Sequence, residues 1–112
     1  MATLSVATII RAGIVPAYTS CSAGGDKFTN DGKTFVHLRN TTSNATRTVT
    51  FVTPKTISGL GVADHAVTMS AASERIVGPF PKDTFNSTSG FVAMTYSAVT
   101  NLTVQARKIS AT

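Results

Sequence analysis

The chain reads as an all-β fold, an antiparallel β-sandwich or jelly roll of about seven to eight short strands. Three observations lead there. Apolar residues recur with a period of two, and no segment has the 3.6-residue period of a helix. Gly, Asn and Asp cluster between the apolar runs. Ser and Thr make up 30 of the 112 residues and Val is abundant, a composition suited to half-buried pleated strands.

Taken in order, "ATLSVATIIRA" near the N-terminus gives a first strand, and Pro16 ends the apolar segment that contains it. "SAGGDKFTNDGK" supplies turns at Gly24-Gly25 and Asp31-Gly32, the second a dipeptide that readily takes positive φ. "KTFVHLRN" is apolar on both faces, as a central strand requires. "NTTSNAT" separates it from "TRTVTFVTP", which suits a hairpin across residues 33–53 with a short polar loop. In that second run Val49 and Phe51 alternate with Thr48, Thr50 and Thr53. "HAVTMSA" directs Val67 and Met69 to one face. "GFVAMTYS" is again apolar on both faces, and "NLTVQARKI" alternates Leu102, Val104 and Ala106 with Thr103, Gln105 and Arg107. One domain over residues 1–112 accommodates all of this, with residues 1–16 as an N-terminal arm or edge strand.

Composition narrows the function. The net charge of +5 is spread over ten basic residues, of which only Arg107 and Lys108 adjoin, so nucleic acid is not the expected partner. Such a charge favours solubility or docking on an acidic protein surface. The single Cys21 excludes an intramolecular disulfide framework and a cysteine-based metal site. The N-terminus lacks the basic region and long apolar core of a signal peptide, and no run reaches the ~18–20 apolar residues of a membrane span.

Catalytic material is sparse. His37 and His65 lie far apart in sequence without metal-ligand spacing, and read as hydrogen-bonded or exposed histidines. The five carboxylates are Asp26, Asp31, Asp64, Glu74 and Asp83, with Asp31 set in a turn and Asp26 and Asp83 each beside a lysine. No nucleophile elbow, phosphate loop or dinucleotide fingerprint is present. The expectation is a protein that is not an enzyme and takes no cofactor or metal.

The stretch "ASERIVGPFPKDTFN", residues 72–86, is the most distinctive. Alternation puts Glu74 and Arg75 on opposite faces of a strand, so they do not form a catalytic couple. Pro79 and Pro81 end that strand or mark it as an edge, and push Gly78 and Phe80 towards extended backbone. Phe80 then either plugs the end of a sandwich or is presented to a partner.

The order "AGGDKFTNDGKTFVHLRN", "SERIVGPFP..TFN" and "FVAMTYSAVTNLTVQARKI" resembles the small β-sandwich virion proteins encoded among the head genes of tailed bacteriophages. The resemblance covers roughly residues 4–109 and rests on composition and motif order. It implies a protein made in the host cytoplasm that decorates the capsid exterior as a homotrimer or other homo-oligomer, with the major capsid protein as partner. A head-completion, neck or fibre-base protein, or a small carbohydrate-binding adhesion module, is the alternative. Candidate partner-binding residues are Leu4, Val6, Ile9, Ile10 and Arg11 of the N-terminal segment, as an arm adding a strand to a neighbour, and Phe80.

Overall fold

The computed structural model describes residues 2–109, so Met1 and residues 110–112 of the expected domain lie outside the described residues. Strand accounts for 48% of the residues and helix for 4%, which makes the fold all-β and sandwich-like. Twelve strands are present among the described residues, more than the seven or eight expected, because several two-residue pairings leave no mark on a period-two pattern. They are β1 Ala2–Thr3, β2 Val6–Ile9, β3 Thr19–Ser20, β4 Asp26–Thr29, β5 Thr34–Asn40, β6 Arg47–Phe51, β7 Thr56–Ile57, β8 Leu60–Gly61, β9 His65–Met69, β10 Ser73–Val77, β11 Phe91–Tyr96 and β12 Leu102–Ile109. A single helical turn, α1 Lys82–Phe85, follows the prolines.

Two five-stranded sheets enclose the core. Sheet A runs β1-β4-β11-β6-β9, and sheet B runs β10-β5-β12-β2 with β3 also on β12. The inward rows that alternation marks, Val49 and Phe51, Met69, and Leu102, Val104 and Ala106, are all buried, and Val92 and Met94 from the run apolar on both faces join them. Phe28, Val36 and Leu38 complete the layer. β7 and β8 form a separate hairpin whose Ser58-Gly59 turn has positive φ at both residues.

The sequence expectations need four corrections. The sheets are mixed, because β1 pairs with β4 and β2 with β12 in parallel. The N-terminal strand is two strands: Ala2–Thr3 joins sheet A, Leu4 turns into the core, and Val6–Ile9 joins sheet B. The segment therefore crosses between the sheets as a corner, and within this chain it is an edge element. Residues 33–53 are not a hairpin, since β5 belongs to sheet B and β6 to sheet A. Buried Asn40 holds that crossing: its Nδ2 donates to the carbonyls of Ala45 (2.9 Å) and Ser70 (3.0 Å), while its Oδ1 accepts from the Thr42 hydroxyl at 2.7 Å.

Gly78 is the fourth correction. Its φ of 141° lies in a region that favours glycine, and a Cβ there would sit 2.7 Å from the Phe35 Cβ. Close approach of β10 to β5 sets this geometry, overriding the pressure of Pro79 towards ordinary extended backbone.

Candidate docking surfaces

The outer faces of the two sheets differ in chemistry. On sheet A the pleat turns Thr48, Thr50, Thr68 and Thr95 outward, with Thr50 opposite Thr95 and Thr48 opposite Thr68. On sheet B the corresponding rows are aromatic and charged. The β5–β12 register sets His37 beside Gln105 and Arg39 beside Thr103, and β10 adds Glu74 opposite Arg39.

These side chains form one network. Glu74 Oε1 accepts from His37 Nε2 at 3.1 Å and lies 3.2 Å from Arg39 Nε. His37 Nδ1 faces the Tyr18 hydroxyl and Arg107 Nη1, each at 3.2 Å. An arginine can only donate, so Nδ1 accepts and the ring proton sits on Nε2, directed at Glu74. Tyr18 stands between two guanidiniums, 4.8 Å from Arg39 Cζ and 5.7 Å from Arg107 Cζ. Arg107 Nε also donates to Gln105 Oε1 at 2.6 Å. Two guanidiniums against one carboxylate leave this patch net positive. Its members come from four separate segments, and no local sequence pattern announces it.

Beside the network, towards the end of the sheet, an open depression of about 760 Å³ is lined by Phe35, Ile76, Pro79 and Ile109, with Lys33 at its rim. Ile76 and Ile109 are 65% and 63% exposed, unusual for large aliphatic side chains on a structured strand. Alternation alone places Phe35 and Ile76 on the outward rows, and that signal could have identified them. The β7–β8 hairpin carries a second exposed aliphatic pair, Ile57 and Leu60.

Of the partner-binding residues expected from sequence, two are corrected outright. Leu4 and Phe80 are buried in the core, and neither stands out from the surface as an anchor for a partner. Phe80 is the plug: its ring lies 4.8 Å from Phe51, 5.3 Å from Phe85 and 5.7 Å from Phe28, and its carbonyl accepts from Asn30 Nδ2. Val6 is half-buried against the core, opposite Ala106. Ile9 is half-buried at the end of β2, and only Ile10 and Arg11, in the turn that follows, are exposed.

The remaining polar groups are structural ties. Asp26 is buried and accepts from the Tyr96 hydroxyl at 2.6 Å and the Ser22 amide at 3.1 Å. Burial pushes the neighbouring Cys21 thiol from 9.0 up to about 12. Burial, and then the bond to Asp26, also raise the Tyr96 phenol well above its ordinary range. Asp31 is held below the usual carboxylate value by the Lys33 amide donating to it, as an Asx turn provides. His65 is exposed and stacks on Phe51 in sheet A, on the opposite sheet from His37, while Asp64 accepts from the Thr53 amide. Among the described residues no group of three His, Cys, Asp or Glu is placed to hold a metal ion, and no helix is long and apolar enough to cross a membrane.

Fold and surfaces together define an all-β sandwich-like protein with an apolar depression beside a cationic, aromatic-centred patch. No family model matches the chain, and neither a curated protein nor a solved structure was found similar to it.

Proposed function

We propose that the chain is a non-enzymatic structural protein of a tailed-phage virion, which binds the outside of the capsid shell and stabilises it. The observation that carries this reading is the depression on sheet B, where Ile76 and Ile109 stand exposed next to Phe35 and Pro79. Exposed aliphatic surface rimmed by polar groups is what a protein–protein contact uses. The positive patch of Arg39 and Arg107 beside it, on a chain of net charge +5, suits an acidic shell.

The mechanism is linkage. A protein that binds assembled shell and not free subunits shifts assembly towards the shell by mass action. Copies that each bridge several capsid subunits, as a homotrimer does, add through multivalency. Particles heated with and without the protein test the role: a higher disruption temperature with the protein present is expected, and an unchanged one overturns it. Ile76→Asp combined with Ile109→Asp should lower occupancy on particles at least tenfold while the fold is retained. Electron microscopy distinguishes decoration, with hundreds of copies, from a neck or head-completion role with about a dozen or fewer at one vertex.

A further inference from the structure

The two long sides of the sandwich are finished differently. On one side the N-terminal segment spans both sheets, adding β1 to β4 and β2 to β12 with Leu4 inserted between them. On the other side β9 ends sheet A and β10 ends sheet B, joined by the short turn at residues 70–72, and neither has a strand beyond it among the described residues. Between these two edges lies a groove of about 440 Å³, lined by His65, Val67, Val77, Pro79 and Phe85 with Phe80 among its walls.

The lining is mostly apolar, and just beyond it Arg75 lies two residues before Val77 on the same row of β10. Opposite β5, the inward row of β10 is Ser73, Arg75 and Val77, since Arg75 pairs with buried Leu38 and Val77 with buried Val36. Arg75 is thus a cation on the core-facing row of an edge strand. It forms no salt bridge among the described residues, and its Nη1 only donates to the Glu74 carbonyl at 2.8 Å. Glu74 cannot neutralise it, because that carboxylate points to the outer face and is engaged by His37 and Arg39.

We propose that this open side is a strand-docking site for an extended segment of a partner protein, one with an apolar side chain and, two positions along on the same face, a carboxylate. The backbone edge of β10 supplies the ladder, Val67, Val77 and Phe85 receive the apolar side chain, and Arg75 receives the carboxylate. An inward charge on an edge strand blunts indiscriminate pairing. The same charge makes pairing selective, because a segment without an anion leaves Arg75 desolvated and unpaired. The inference concerns a different surface from the sheet B depression, although Ile76, Gly78 and Pro79 border both, and it does not depend on the partner being a capsid.

The test uses the intact chain and two blocked heptapeptides, Thr-Val-Thr-Val-Thr-Asp-Thr and the same sequence with Lys in place of Asp. Amide resonances of the ¹⁵N-labelled protein are followed during titration. The Asp peptide should shift the amides of residues 65–69 and 73–77 and bind at least tenfold more tightly than the Lys peptide. Arg75→Glu, an exposed substitution, should reverse that order. Absence of shifts at both strands, equal affinity for the two peptides, or an unchanged order in Arg75→Glu each overturns the proposal and leaves Arg75 as edge protection only.

Discussion

The side closed by the N-terminal segment and the side bounded by β9 and β10 solve the same problem in different ways. A sandwich leaves unpaired backbone groups along four edges. On the closed side two short parallel strands cover the edges of β4 and β12, the Leu4 amide donates to the Lys27 carbonyl at 2.8 Å, and the Asp26–Tyr96 bond links β4 to β11 within sheet A. On the other side the edges stay bare, and the structure relies on an aromatic plug, Phe80, together with the inward charge of Arg75. One side is sealed with the chain's own backbone. The other is kept from the wrong partners by charge and remains free for a right one.

This contrast can be broken at either side. Phe80→Ala should have the greatest effect, about 3–5 kcal/mol of lost stability in denaturant unfolding, because the ring touches Phe28, Phe51 and Phe85 and its removal empties the end of the core. Leu4→Ala should cost about 2–3 kcal/mol, at the low end for buried leucines, since the residue sits at the margin of the core. It should also promote aggregation as the edges of β4 and β12 come free.

Alkaline titration acts on the closed side. Between pH 9 and about 12 the unfolded chain has lost the Cys21 proton while the native chain retains it. The unfolded state then binds fewer protons, so stability falls as pH rises, by about 1.4 kcal/mol per pH unit for one group. Tyr96, also raised, acts in the same direction at higher pH. In Cys21→Ala the decline that begins near pH 9 should be absent, which unfolding curves at stepped pH will show. The smallest effect belongs to the open side: Arg75→Thr should change stability by no more than about 0.5 kcal/mol, yet increase self-association measured by sedimentation.

Much of this fold is legible in the sequence, because burial on one face imposes a period of two. Val49 with Phe51, Val67 with Met69, and Leu102 with Val104 and Ala106 all face inward as alternation requires. Alternation does not say which sheet a strand joins. The crossing between β5 and β6 is fixed by the hydrogen bonds of Asn40, whose partners Ala45 and Ser70 lie 5 and 30 residues away. The N-terminal segment is apolar at both alternate and adjacent positions (Leu4, Val6, Ile9 and Ile10), which marks no break, so its division at Leu4 follows from where β4 and β12 leave edges to cover. The separation of Glu74 from Arg75 was readable, and it places one in the outer network and the other beside the groove. That network joins Tyr18 to His37 across 19 residues and His37 to Arg107 across 70. The registers of β12 against β5 and against β3, which directly follows Tyr18, bring them together.

The difference between the two sides is tested most directly by amide hydrogen exchange on the free protein. The amides of Leu4 and of β2 that bond to β4 and β12 should be protected well above the outward-pointing amides of β9 and β10, which should exchange near the rate of open chain. Equal protection on both sides, or an N-terminal segment that exchanges as fast as β10, would contradict it.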